Sequence, residues 1–421
     1  MVRIFPFQGV RYNPDLVNYE NVITPPYDVI TIENQRQLYE NSDFNLIRLE
    51  YGEQYQNDNE NDNRYTRAAS TFNGWLDKEV LIQDNKPVYY WYQQQFPWKG
   101  ETYTREGLIA TIGVEPYEEG NILPHEETLS KPKEDRYQLL DHCKANFSPI
   151  FGLYPDPQNQ VEKECAAIKD KEPIIDFTDD DKQNHRIWVI EDPQTHKKLE
   201  ELFSSWFVFL ADGHHRYETA LLYSQQKGYD RALIFLFNFY SPGLLILPFH
   251  RVIKGLQNFN PDDFLAKLQK HFNINEVGPV SSNDPKLPKF IQDLREKSRD
   301  KFAIGLCTGN KLYELELNSP EEKDHQEKAK HDVDILQKYV LEKTMQITPE
   351  ELRQGEFLSY IHNEEEALNM VCNGEAQATF FLNPSSKERI METAQEGEKL
   401  PQKSTYFYPK LVSGLLVNKL D

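Results

Sequence analysis

The strongest constraint in this chain is a run of bulky apolar residues, Trp206 to Ala211, that stops at Asp212-Gly213 and gives way to His214-His215-Arg216. A short apolar run bounded by a turn signal reads as a buried strand. The residues from His214 to Gln226 read as a helix, with Gly228 suited to its C-cap. Strand, abrupt turn and helix are therefore expected in that order. The start of such a helix presents unpaired backbone N–H groups and the positive end of the macrodipole. Gly213 removes the side chain where a ligand or backbone must come close. Arg216 offers a planar fork for phosphate oxygens, and a histidine can donate to them as well. An Asp-Gly turn alone would be an ordinary helix start. Followed by His-His-Arg, it points to an anion site.

That site would sit on an acidic body. The chain has 421 residues and a formal net charge of -21. The length suggests two or three packed lobes, and 38% hydrophobic residues suffice for a sizeable core. A field of this sign repels duplex nucleic acid and anionic membranes. The expected partner is a small-molecule substrate, with no nucleic acid and no membrane. Cys143, Cys165, Cys307 and Cys372 form no CxxC pair, which fits a reducing compartment. The first residues carry no basic segment leading into a long apolar stretch, and the apolar runs are too short to span a bilayer. A cytoplasmic location is expected.

Three segments can be read: an N-terminal α/β lobe over 1–115, a central module over 116–255 and a C-terminal α/β lobe over 256–421. In the first, Asn45 to Tyr51 reads as a strand and Tyr65 to Trp75 as a helix with an apolar face at Ala68, Phe72 and Trp75. Val88 to Gln93 and Glu106 to Val114 read as paired strands around Gly100. In the second, the loop Leu123 to Thr128 precedes a helix near Asp135 to Cys143 and a strand near Ser148 to Tyr154. The third alternates strands such as Phe302 to Cys307 with helices such as Ser386 to Ala394. The class is α/β, of mixed α+β type.

The stretch Asp212-Gly213-His214-His215-Arg216-Tyr217-Glu218-Thr219-Ala220 resembles the phosphate-binding box of the ParB/sulfiredoxin superfamily, in the version found in ParB-like free serine kinases. Those proteins also carry an upstream loop similar to Pro124-His125-Glu126-Glu127, and the two boxes stand in the same order. Nearly the whole chain resembles the bacterial family called domain of unknown function 1015, through Thr24-Pro25-Pro26-Tyr27-Asp28, His125-Glu126 to Asp135-Arg136, Asn146 with Ser148-Pro149, and Lys403-Ser404-Thr405. The resemblance implies a ParB/sulfiredoxin-like central module and a phosphotransferase. Glu126 would be the general base, with Glu127 the less favoured neighbour, and Asp212 and His214 would join it in catalysis. Asp212 would orient a histidine or help hold Mg²⁺. Gly213, His215 and Arg216 would grip a nucleotide or pyrophosphate-type donor, with Lys403, Ser404 and Thr405 as further donors. His125, Thr128 and Arg136 would contact the substrate, for which free serine leads. Lys131 and Lys133 beside Arg136 could bind a second anionic group, or form ordinary ion pairs.

Other motifs fail on their own chemistry. His125-Glu126 cannot open an HExxH helix, because the second ligand position is Leu129. Gly397 to Ser404 lacks the glycine before its lysine that a phosphate-binding Walker loop needs, and it contains Pro401. His331-Asp332-Val333-Asp334 could ligate Mg²⁺, but a helix cap explains its aspartates more simply. The expected reaction is phosphoryl transfer to a small hydroxyl compound. A phosphatase of phosphoserine-like substrates and a non-catalytic nucleotide sensor are the alternatives.

Overall fold

The computed structural model describes residues 1–125, 130–299, 301–318, 331–348, 351, 357–401 and 403–420. The chain divides into two compact units, one of Met1–Leu245 with Pro409–Asp421 and one of Ile246–Tyr408. The lobe boundary expected at 115 runs through a single sheet, because the hairpin before it pairs with a strand well after it. The residues from 409 onward belong with the first unit rather than with a C-terminal lobe.

Among the described residues of the first unit, nine strands form one mixed sheet. In chain order they are β1 (Ile4–Phe5), β2 (Tyr89–Trp98), β3 (Glu101–Gly113), β4 (Ile122–Leu123), β5 (Ile150–Tyr154), β6 (Ile175–Thr178), β7 (Asn184–Ile190), β8 (Val208–Asp212) and β9 (Arg231–Asn238). The order across the sheet is β4-β8-β5-β9-β3-β2-β7-β6, with β1 beside β3. β8 runs parallel to β4 and antiparallel to β5, while β5 and β9 are parallel. Parallel and antiparallel ladders in one sheet give the mixed α+β class that the sequence implies. Helix α1 (Ser130–Cys143) precedes β5, and helix α2 (His214–Lys227) follows β8. Tyr217 and Ala220 of α2 join Leu210, Ile234 and Leu236 in the main core. Val417–Lys419 pairs with Gly9–Tyr12 and Ala145–Asn146 in a smaller sheet, which ties the last residues into this unit.

Most local readings hold. The helix over Arg64–Asp77 buries Ala68, Phe72 and Trp75, and β2 and β3 pair across Gly100. Asn45 to Tyr51 is an exception, forming a helical turn over Ile47–Glu50 instead of a strand. The Asn45 side chain accepts from Ile47 N at 2.9 Å, and Leu46, Ile47, Leu49 and Glu50 are all buried. Those buried positions do not alternate, so a half-buried strand could not satisfy them.

Among the described residues of the second unit, six strands form one sheet: β10 (His250–Ile253), β11 (Phe272–Pro279), β12 (Ala303–Thr308), β13 (Lys311–Leu317), β14 (Leu358–Ile361) and β15 (Ala378–Phe381), in the order β11-β13-β12-β15-β10-β14. Every pair is antiparallel. Neighbours along β12 serve different cores, Leu306 joining Phe264 and Tyr339 while Cys307 joins Phe290 and Leu368. No helix among the described residues is long and apolar enough to cross a membrane.

His250 sits at the start of β10, and its Nδ1 accepts the amide of Leu382 at 3.2 Å. Burial lowers its pKa from 6.5 to about 4, against the pull of Glu364. A histidine depressed on folding contributes stability above its unfolded pKa and loses it as pH falls through the folded value. Proton-detected titration should therefore place His250 near pH 4, with roughly 3 kcal/mol of the second unit's stability lost between pH 6.5 and that point. A His250 midpoint near 6.5 would contradict this.

Candidate functional site

β8 is buried along Val208 to Ala211 and ends at Asp212, which is partly exposed. Gly213 follows with φ 89°, a left-handed conformation that costs other residues strain. One residue later α2 begins, so its N-terminal amides open at the end of the strand. A Cβ on Gly213 would stand 3.0 Å from Arg216 Nε and 3.1 Å from its guanidinium carbon. The arginine folds back over the turn. Its Nη2 donates to Asp212 Oδ2 at 3.1 Å, its Nη1 donates to the carbonyl of Pro149, and its buried Nε has no hydrogen-bond partner among the described residues. On the other carboxylate oxygen of Asp212 lies Lys410 Nζ, 3.1 Å from Oδ1. Asp212 thus bridges two cations.

The two histidines of the turn part company. His214 is buried, and its Nε2 accepts the backbone amide of His125 at 3.4 Å. The two rings lie 4.8 Å apart. His125 Nδ1 lies 2.7 Å from the carbonyl of Leu210, which can only accept, so Nδ1 carries the proton. The ring of His125 also stacks on Phe209 at 4.9 Å. His125 and His214, one from each sequence box, therefore meet at the end of β8. His215 is only partly buried. Burial lowers its pKa, opposed by Glu218 and Asp28 and aided by Lys133 and Arg216.

Around this turn stands a layer of paired charges. Lys133 Nζ meets Glu218 at 2.8 Å. Arg136 Nη1 donates to Glu50 Oε1 and to the Glu50 carbonyl, each at 3.0 Å, and its Nε donates to Asp135 at 2.9 Å. Ser148 Oγ donates to the same Glu50 oxygen at 2.7 Å. The Tyr27 ring covers Arg136 at 4.1 Å, which brings the Thr24-to-Asp28 loop to this place. A cavity of about 40 Å³ lies among Glu50, Arg136, Ser148, Arg216 and Thr219, room for one or two waters. The guanidinium of Arg136 is thus engaged on two carboxylates.

Glu126 and Thr128 lie outside the described residues. Lys403, Ser404 and Thr405 belong to the second unit, where the Lys403 carbonyl accepts from Arg251 at 3.0 Å and Ser404 Oγ donates to Pro401 O. Two participants escaped the sequence reading. Glu50 had a signal, a carboxylate inside an apolar stretch. Lys410 had none, being a lysine without a local pattern. Among the described residues no group of three or more His, Cys, Asp and Glu side chains is arranged to hold a metal ion.

Replacing Gly213 by alanine forces a Cβ into the left-handed region and against Arg216. We expect a loss of about 1–3 kcal/mol in urea unfolding. Unchanged stability would show that the turn tolerates a side chain.

Among solved structures, a free serine kinase in complex with AMP is similar at 18% identity, covering 70% of this chain and 89% of that one, with a TM-score of 0.35. A conserved hypothetical protein from Pyrococcus furiosus is similar at 17% identity over 70% and 93% of the two chains, with a TM-score of 0.33. SbnI with a C-terminal truncation from Staphylococcus aureus is similar at 13% identity over 74% and 87%, with a TM-score of 0.37. No curated protein matches. A family model described as protein of unknown function (DUF1015) matches residues 4–339, and the chain belongs to that family.

Proposed function

We propose that this protein transfers a phosphoryl group from a nucleotide or pyrophosphate-type donor to a small hydroxyl metabolite, free serine being the leading acceptor. One observation carries the reading: the Gly213 turn opens the amides of α2 beside Arg216, with Lys410 on the other side of Asp212. A helix N-terminus flanked by two cations is suited to phosphate oxygens. The donor's phosphate would compete with Asp212 for Arg216 and Lys410.

In the transfer, the acceptor oxygen forms a bond to phosphorus while the bond from phosphorus to the donor's bridging oxygen breaks. The acceptor's proton passes to a carboxylate, for which Glu126, next to His125, is the candidate. Arg216, Lys410 and the α2 amides would neutralise charge on the moving group. His125 and His214, fixed in single tautomers, would keep the loop and the helix start in register. Magnesium sites commonly combine one or two carboxylates with water and substrate phosphates, and Asp212 would be the carboxylate to hold the ion once the donor's phosphate draws Arg216 and Lys410 away. When bound, Mg²⁺ would supply charge neutralisation between donor phosphates.

Phosphorus NMR of the full chain with Mg²⁺, serine and ATP, ADP or pyrophosphate tests the reading. A new phosphomonoester is expected. Its rate should fall roughly 10²–10³-fold in Arg216→Ala, and roughly 10²–10⁴-fold in Glu126→Gln with donor binding retained. Phosphate released from phosphoserine would establish the phosphatase instead. Nucleotide binding by calorimetry without turnover would establish a sensor and remove Glu126 from catalysis.

A further inference from the structure

A hydrogen-bonded chain of a different kind lies in the second unit. Strand β15 leads through Leu382-Asn383-Pro384-Ser385 to helix α3 (Lys387–Gln395), which Ser386 caps by accepting from Arg389 N at 3.3 Å. Asp332 fixes this turn, its Oδ2 accepting from Asn383 N at 3.1 Å and from Asn383 Nδ2 at 2.9 Å. The same Nδ2 reaches the carbonyl of Ala303 at 2.7 Å. Beside Asp332, the buried His331 places its ring between two hydroxyls. Its Nδ1 lies 2.7 Å from Ser385 Oγ and its Nε2 3.0 Å from Thr393 Oγ1.

The directions of these bonds follow from counting protons. Thr393 gives its single hydroxyl proton to the Arg389 carbonyl at 2.8 Å. Towards His331 it can therefore only accept, so Nε2 carries the ring proton. Nδ1 of the neutral ring is then a bare lone pair, and the Ser385 hydroxyl donates to it. The chain runs from Ser385 through His331 and Thr393 to a backbone carbonyl. A serine hydroxyl on a histidine lone pair, with a third group fixing the tautomer, is the arrangement that activates a serine. His331 and Thr393 are buried, but Ser385 is partly exposed, so the reactive end of the chain can meet a solute. Ser385 also stands on a strand-to-helix turn, just ahead of α3, whose dipole favours negative charge developing there.

We propose that Ser385 is a nucleophile and His331 its general base, a second reactive centre that accepts an acyl group from a carboxylic ester. Ser385 Oγ bonds to the carbonyl carbon and its proton moves to His331 Nδ1. The tetrahedral intermediate collapses, the ester C–O bond breaks, and the departing alkoxide takes that proton. Water repeats the sequence at the acyl-serine, releasing the acid and restoring Ser385. The sum is ester plus water to acid plus alcohol, with no change of oxidation state. This centre is independent of the phosphoryl-transfer reading, since it uses none of that site's residues.

The test treats the full chain with an alkyl fluorophosphonate and maps the adduct by peptide mass spectrometry, with 4-nitrophenyl acetate as the ester probe. In the adduct, Oγ–P forms as P–F breaks, and fluoride leaves. We expect a single adduct on Ser385 and nitrophenol release, both absent in Ser385→Ala. Both rates should drop at least about tenfold in His331→Gln. Thr393→Ser, which keeps the acceptor for Nε2–H, should retain the rates, and Thr393→Val should lose about tenfold. Absence of either signal in the wild type overturns the proposal, as does an unchanged rate in His331→Gln. Should that variant fail to fold by circular dichroism, equal rates in Thr393→Ser and Thr393→Val overturn it instead.

Discussion

The candidate site depends on a strand having to become a helix within one residue. β8 is buried, and buried backbone must keep its hydrogen bonds, so the chain cannot loosen before Asp212. α2 starts at His214, which leaves Gly213 alone to reverse the path. That reversal brings Arg216 back over the turn onto Asp212 and sets His214 beside His125. A wider loop would separate these groups. The chemistry available at this place is thus a product of backbone geometry before it is a product of side-chain identity.

The strand–turn–helix unit was legible because its signals are local: an apolar run, a glycine and a polar helix start. The same holds for the hairpin of β2 and β3 and for the helix over Arg64–Asp77. What escaped depends on partners distant in sequence. Asp212 could not be seen as a bridge between cations, since one of them is Lys410. The pairing of Arg136 with Glu50, 86 residues away, could not be read either. Asn45 to Tyr51 read as a strand because its polar residues interrupt apolar ones. Its Glu50 is in fact buried and paired with Arg136, and a charge that looks solvent-facing in sequence faces inward here. Glu126 lies outside the described residues, so its role rests on the resemblance of its motif.

Electrostatics gives the first unit its second organising rule. On a chain with net charge -21, the cations near α2 are not left bare. Arg216 and Lys410 share Asp212, Lys133 has Glu218, and Arg136 has Glu50 and Asp135. Such pairing keeps a basic cluster stable on an acidic body at modest cost. It also means that an anion arriving at this cluster would have to exchange partners with carboxylates rather than fill an empty socket. Exchange of this sort favours ligands with several charges, which can satisfy more than one displaced cation.

The path of the chain also orders events in time. The second unit, Ile246–Tyr408, is threaded into the first, whose remaining residues begin at Pro409. During synthesis the sheet strands, the Gly213 turn and α2 all emerge before the second unit does. Lys410 and the Val417–Lys419 strand emerge after it. Domains tend to fold as they leave the ribosome, earlier residues first. The nascent first unit therefore waits, with Asp212 lacking one of its two cations and Gly9–Tyr12 lacking a neighbouring strand, until more than a hundred further residues have been made. A ribosome that stalls inside the second unit would release a protein with the turn formed and its charge balance unfinished.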